Sequence, residues 1–248
     1  MSEVSFVKPT LARYRALFFG NRMSVSRLLR DERIMRCGLS GRVLDFGGGA
    51  RVQYASDVQR QRWAAPGQTL EYCSANIDPA AQSTYLLRIG EPLPLDSASC
   101  DVVVSLSTLE HVYELEGTLA EIGRVLKSGG RLVFSVPFMF RVHGHPDDYR
   151  RGTPSFWRRK LGEAGFENVV VEALAWGPFS TGQEVSGLPG PFKAIRRHAG
   201  LLLDILWGAC RYRGRIEVAG RQDDPFLAAP LGYFIEARKA SAMASAEV

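Results

Sequence analysis

The stretch Val43-Leu44-Asp45-Phe46-Gly47-Gly48-Gly49-Ala50 narrows the possible folds more than any other part of this chain. An apolar run meets an acid, and three consecutive glycines follow two residues later. That is the pattern of a buried strand ending in a sharp turn, because glycine tolerates φ > 0 and lets the backbone approach a ligand closely. Asp45, at the strand's end, is placed to hydrogen-bond a cationic or hydroxylated ligand lying over the turn. Such turns also serve dinucleotides and phosphates, so the segments downstream must discriminate.

Those segments alternate strands with helices. Apolar positions Leu11, Tyr14, Phe18, Val25, Leu28 and Leu29 predict one or two helices within 10–36, interrupted near Gly20-Asn21. Strands are expected at Arg42–Phe46, Glu71–Ile77, Ser83–Leu87, Asp101–Leu106, Arg131–Pro137, Val169–Leu174 and Gly232–Arg238. Helices are expected at Gln53–Trp63, Thr118–Leu126 (capped by Ser128-Gly129-Gly130) and Pro154–Ala164. The run from Asp101 to Leu106 does not alternate, as befits a strand covered on both faces. This order predicts a doubly wound, mostly parallel α/β sheet of seven strands, its last pair forming an antiparallel edge hairpin. Residues 1–40 read as an N-terminal helical segment packed on the core, and 41–240 as the main domain. An insertion of about 177–229 precedes the last strand, and 241–248 form a tail.

Open α/β sheets bind ligands outside the carboxyl ends of their strands, at the topological switch point. Four stretches fall at such ends: Asp45 with Gly47, Gly48 and Gly49; Asp78-Pro79; Ile89-Gly90; and Ser105-Leu106. A carboxylate at Asp78 can accept both hydroxyls of a diol. The segment from Leu93 to Val112, with Leu93-Pro94-Leu95-Asp96, Asp101-Val102-Val103-Val104 and Leu109-Glu110-His111-Val112, resembles one large group of class I S-adenosylmethionine-dependent methyltransferases, the type 11-like subfamily. Asp45-Phe46-Gly47-Gly48-Gly49 resembles motif I of that class, and Glu121 to Val133 is similar to its E-x-x-R-V-L-K-P-G-G-x-L segment. The likeness covers about residues 42–175, in the right order throughout.

The resemblance implies a Rossmann-like methyltransferase sheet with an antiparallel last strand, and S-adenosyl-L-methionine as cofactor. It implies that Asp45 and the three glycines contact the amino-acid part of the cofactor and that Asp78 holds the ribose. Ile89-Gly90 would lie near the adenine and Ser105-Leu106 beneath the methionine end. Many relatives carry an Asp where this chain has Ile89, so adenine recognition is expected from backbone groups and apolar packing.

Other ligand chemistries fit less well. A nicotinamide fingerprint needs a third glycine where this chain has Val52, and an acid about 20 residues on, well short of Asp78. Base N-methylation uses Asp/Asn-Pro-Pro-aromatic after the fourth strand, where this chain reads Ser105-Leu106-Ser107-Thr108, and no Pro-Cys nucleophile exists for C5 chemistry.

The loop after the fifth strand concentrates titratable groups: His143, His145, Asp147, Asp148, Tyr149, Arg150 and Arg151. With Pro146 and Thr153 it resembles the H-x-x-P-x-D-Y-x-R-x-T loop of methyltransferases of polysaccharide and glycolipid pathways. Transfer to a hydroxyl is helped by a base, for which His143, His145 and Asp148 are the candidates. Tyr149, Arg150 and Arg151 are candidates for holding a sugar carboxylate or phosphate. The alternative is that Asp147, Asp148 and Arg150 brace the loop. His111 is read as capping the helix that follows, with a place in the cofactor pocket or at a metal as the alternatives; no metal site is expected, since acids and a histidine alone do not define one.

The formal charge of +5 is concentrated in 141–160 and 193–215, which suggests an anionic partner, with a solvated face as the alternative. Ala199–Cys210 is apolar between basic flanks, too short and too interrupted by Asp204 to span a membrane. A peripheral membrane contact through 193–215, a buried lid hinged at Gly187–Pro191, and a homodimer contact are the open readings. Four scattered cysteines and an N-terminus without a signal-peptide pattern suggest a cytoplasmic protein, with membrane-peripheral attachment as a variant of that reading. The expected activity is O-methylation of a sugar, a glycolipid precursor or a small metabolite, the acceptor being a small molecule or glycan. A scaffold that binds the cofactor without turnover is the alternative, and a nucleic-acid methyltransferase is a more distant one.

Overall fold

A computed structural model describes residues 3–19, 24–51, 60–144, 147–221 and 223–241. The chain divides into two compact units, one of residues 33–136, 146–170 and 235–248, the other of 1–32, 137–145 and 171–234. Of the expected helix at Gln53–Trp63, residues 53–59 lie outside the described residues.

The first unit is built on β2 (Gly41–Phe46), β3 (Leu70–Asn76), β4 (Tyr85–Leu86), β5 (Cys100–Leu106), β6 (Leu126–Pro137) and parts of β7 (Phe166–Leu174) and β9 (Gly232–Lys239). Their order is β4-β3-β2-β5-β6-β9-β7, and the pairs β3–β4, β2–β3, β2–β5 and β5–β6 are parallel. The chain runs outward from β2 to β3 and β4, then returns to place β5 on the other side of β2. That reversal makes the carboxyl ends of β2 and β5 the switch point, the place where open α/β sheets bind their ligands. The strands there read as unbroken apolar runs because both faces are covered: Val43, Leu44, Val103 and Val104 are fully buried.

Helix α3 (Leu115–Val125) covers one face through Leu115, Leu119, Ile122 and Val125, a spacing that keeps all four on one helical stripe and buries them. Each such side chain contributes about 1.5–3 kcal/mol of transfer free energy. Helix α4 (Pro154–Glu163) starts where Thr153 accepts the Phe156 amide and proline occupies the first turn, and it sets Trp157 edge-on to Phe134 of β6 at 5.1 Å. No glycine cap separates α3 from β6: Leu126 is already extended, and the strand runs on through Ser128-Gly129-Gly130. The expected cap is thus the start of the strand.

The second unit contains β1 (Val4–Val7), α1 (Leu11–Phe19), most of α2 (Val25–Arg36), α5 (Pro178–Ser186), α6 (Lys193–Arg211) and β8 (Glu217–Gly220). Its strands follow the order β9-β7-β1-β8; β1 is parallel to β7 and antiparallel to β8, with Val4 opposite Gly220 and Val7 opposite Glu217. The chain therefore has nine strands among the described residues, and the expected count of seven is corrected by β1 and β8. The last strand is also internal in the order, between β6 and β7, rather than part of an edge hairpin.

Asp204, in the middle of apolar α6, is fully buried because it caps another helix. Its two oxygens accept the Phe179 and Ser180 amides at 3.0 and 2.8 Å, at the start of α5. Gly177 leaves room for it: a Cβ there would stand 2.3 Å from Asp204 Oδ1. Burial pushes the Asp204 carboxyl above its ordinary value, against the opposing bonds from Ser180 and Phe179. A raised folded-state pKa contributes stability that is complete below the unfolded value of about 4 and is lost as pH rises through the folded value. The melting temperature of the native chain minus that of Asp204→Asn is therefore expected to fall as pH is raised from about 3.5 to 7; a flat difference would contradict the raised value. No helix among the described residues is long and apolar enough to cross a membrane.

Candidate functional site

At the end of β2 the chain turns with the Gly47 amide bonded to Ala75 O at 2.8 Å, at the end of β3. Gly47 has φ +90°, and a Cβ on it would meet Thr108 Oγ1 at 2.1 Å. A Cβ on Gly48 would meet Asp45 Oδ2 at 2.1 Å, and one on Gly49 would meet Ala81 O at 2.3 Å. The three glycines thus admit three different neighbours: the chain beyond β5, the acid of β2 itself, and the 3-10 turn Pro79–Ala81.

Asp45 is 1% exposed, lies under Gly48, and accepts the Tyr72 hydroxyl at 2.6 Å. The Arg60 guanidinium stacks 4.2 Å from the Tyr72 ring centre and donates to Gly49 O at 2.9 Å. The structure therefore places this carboxylate inside the protein, close to Gly48 and bonded to Tyr72, whereas the sequence suggested that it faces a ligand directly.

Asn76, the last residue of β3, was not singled out from sequence. Its Nδ2 donates to Gly47 O at 2.8 Å and Gly48 O at 3.2 Å, while its Oδ1 accepts the Asp78 amide at 2.9 Å. One side chain thus fixes the glycine turn relative to Asp78. The signal available was its position: it lies at the strand's end, two residues before the acid. Asp78 is half-buried and caps the 3-10 turn through Oδ1, which accepts the Ala80 amide at 2.8 Å. Its Oδ2 accepts no hydrogen bond among the described residues. Pro79, at the first position of that turn, is exposed.

Ile89 and Gly90 form an exposed turn just past the point where the Leu87 amide bonds Asn76 O at 2.8 Å, Gly90 having φ +84°. Ser105 and Leu106 are enclosed within β5. The residues that emerge at this strand's end are Ser107, at φ +56° with its amide on Ser135 O at 2.9 Å, and Thr108 against Gly47.

Most of the arginine-rich loop is tied to the 3-10 turn Leu109–His111 and the residues after it. Tyr149 N donates to Glu110 O at 2.9 Å, and His111 Nδ1 lies 2.5 Å from Asp147 O. Arg150 donates to Val112 O and Tyr113 O, each at 2.7 Å, and burial lowers its pKa despite the raising effect of Glu116. Asp148, whose side chain is 3% exposed, takes Arg151 in a two-point pair, with NH2 on Oδ2 at 2.6 Å. Tyr149 bonds Asp147 Oδ2 at 3.0 Å and packs edge-on to Tyr113 at 5.3 Å; its phenol pKa is raised by the Asp147 hydrogen bond first, then by burial. Asp148, Arg150 and Arg151 are thus engaged within the protein, while Tyr149 remains exposed. In the other unit, His143 Nδ1 lies 3.2 Å from Arg141 O and its ring packs edge-on to Phe140 at 5.3 Å. The candidate His145 lies outside the described residues.

Residues 54–134 match the family described as a methyltransferase domain. A sarcosine/dimethylglycine N-methyltransferase of Halorhodospira halochloris is 32% identical over 95 residues, 33% of each chain. A Mycobacterium tuberculosis protein described as "Probable S-adenosylmethionine-dependent methyltransferase" is 35% identical over 97 residues, 35% of this chain and 34% of that one. The chain thus spans about a third of the length of these curated relatives. In fold it is similar to the crystal structure of a SAM-dependent methyltransferase from Archaeoglobus fulgidus, with a TM-score of 0.52 at 16% identity over 91% of this chain and 98% of that one.

Proposed function

We propose that this chain acts as a class I S-adenosylmethionine-dependent methyltransferase, a reading supported by the family match over 54–134 and by the likeness to a probable S-adenosylmethionine-dependent methyltransferase, and that it methylates a hydroxyl of a sugar, a glycolipid precursor or a related small metabolite. The observation that carries the cofactor half of this reading is the Asn76 clamp, which holds the glycine turn and Asp78 in one fixed arrangement at the switch point. Asp78 Oδ2 is the carboxylate oxygen that would take the ribose hydroxyls, and the backbone of Gly47–Gly49 would lie under the amino-acid part. Asp45 would act one step back, by bracing Gly48. Ser107 and Thr108, rather than Ser105 and Leu106, would border the methionine end. When bound, the cofactor supplies a methyl group already activated on a sulfonium. What remains to the protein is alignment, exclusion of water and removal of the acceptor's proton.

The family match ends at Phe134, before the loop that follows β6, so it speaks for the cofactor half alone. On the acceptor side, the bond from His143 to the Arg141 carbonyl requires the proton on Nδ1, which puts the imidazole lone pair on Nε2. His143 Nε2 is the group we assign to take the hydroxyl proton, on the chemistry of its side chain within its own unit; Tyr149 is the exposed hydrogen-bonding group of the loop in the unit that carries the glycine turn. Asp148, Arg150 and Arg151 would shape the loop rather than touch substrate. The known relative acts on sarcosine and dimethylglycine by its name, but the third of the chain that it shares cannot carry over an acceptor.

Incubation with methyl-labelled cofactor and a panel of sugars, glycolipid precursors and amines tests this reading: label is expected on a hydroxyl, and a chain that binds the cofactor but labels nothing would instead be a scaffold. Asp78→Asn keeps the cap yet removes the charge, so its cofactor affinity by calorimetry is expected to fall about 10-fold, the equivalent of about 1.4 kcal/mol and near the lower end of a charged hydrogen bond. Unchanged affinity would remove Asp78 from the ribose.

A further inference from the structure

The amphipathic helix α6 is arranged inside out. Its one acid, Asp204, is buried beneath it as the cap of α5, and Gly200, Leu201 and Gly208 share that buried face. The opposite face carries Ile195, Ala199, Leu202, Leu203, Leu206 and Cys210, all exposed, with Ile195 at 66% and Leu206 at 63%. At about 1.5 Å per residue this apolar stripe is roughly 22 Å long, and it is uninterrupted by charge. Lys193 stands at one end, and Arg211, Arg213 and Arg215 follow at the other, with Ile216 also exposed beside them. Arg211 is paired with Asp224, while Lys193, Arg213 and Arg215 form no ion pair among the described residues. Leu202, Leu203 and Leu206 face outward, so among the described residues this face of the helix is not covered by the chain itself.

We propose that this face of α6 docks on an anionic lipid bilayer surface, lying in the interfacial plane with its leucines in the acyl boundary and its basic ends on the headgroups. Charge decides the occupant. A second copy of the chain paired through this stripe about a two-fold axis would bring basic end to basic end, whether the helices ran parallel or antiparallel. An apolar surface edged with negative charge satisfies both the leucines and the flanking cations, which is the chemistry of an anionic membrane interface. Phe179 of α5, exposed and in ring contact with Trp207 at 5.5 Å, adds an aromatic group beside the stripe. This inference is independent of the methyl-transfer reading: it would place the protein at a lipid surface whatever the acceptor.

The test is flotation of the full chain with vesicles of phosphatidylglycerol mixed with phosphatidylcholine, against vesicles of phosphatidylcholine alone. Binding is expected to the anionic vesicles, to weaken as salt is raised, and to fall at least about 10-fold in Leu202→Asp/Leu206→Asp, given the cost of placing two charges at the acyl boundary. Because both leucines are exposed, the melting temperature should stay unchanged, which separates lost docking from lost fold. Arg213→Glu/Arg215→Glu should weaken binding without touching the stripe. No binding of the native chain, or binding that the leucine variant leaves intact, would overturn the proposal. So would a dimer in solution that the leucine variant dissociates while the native chain ignores vesicles.

Discussion

Gly47→Ala is expected to be among the most damaging single substitutions in this chain. The residue sits at φ +90°, where a side chain costs about 1–2 kcal/mol, and its new methyl would stand 2.1 Å from Thr108 Oγ1 and 2.5 Å from Cγ2. Overpacking of that kind adds about 1–3 kcal/mol, so urea unfolding should show a total loss of about 2–5 kcal/mol. Cofactor affinity should fall with it, because relief of the clash moves the turn away from the Asn76 clamp. Thr108→Ala in the same chain removes Oγ1 and Cγ2 and should recover part of the loss, leaving the backbone strain and the contact with Cβ. A variant as stable as the native chain would mean that the end of β2 and the segment after β5 are not packed as described.

His143→Ala is expected to lower kcat by about 100-fold or more, the scale of a lost general base, while cofactor affinity stays within about twofold. His143→Gln keeps a donor for the Arg141 carbonyl but offers no basic nitrogen, so it should be nearly as slow as alanine. Recovery of most activity in the glutamine variant would make His143 a positioning residue. Parallel loss of turnover and cofactor binding in both variants would point to a disturbed loop.

The parallel strands around the switch point were legible because β2 and β5 carry runs of buried apolar residues and are followed at once by Gly47 and Ser107. β1 and β8 were not. Each is four residues long, too short for alternation to stand out, and they pair across more than two hundred residues of sequence. The junction of α3 and β6 misled for a local reason: Ser128-Gly129-Gly130 is turn chemistry that here lies inside a strand. At the site, residue types gave the chemistry but not the direction of the side chains. Asp45 and Asp78 are both acids at strand ends, yet Tyr72 claims one from below, while the other spends a single oxygen on Ala80. The arginines of the 147–153 loop suggested an anion, but the carbonyls of Val112 and Tyr113 and the Asp148 carboxylate are their partners. Asp204 looked like a fault in an apolar helix; only the fold shows the amides that it serves.

The most direct measurement is a crystal structure of the chain with S-adenosylhomocysteine. The account predicts the nucleoside across Gly47–Gly49, with its ribose hydroxyls on Asp78 Oδ2 and the Asn76 bonds to Gly47 and Gly48 preserved. A nucleoside bound elsewhere, or a ribose held by groups other than Asp78, would contradict it.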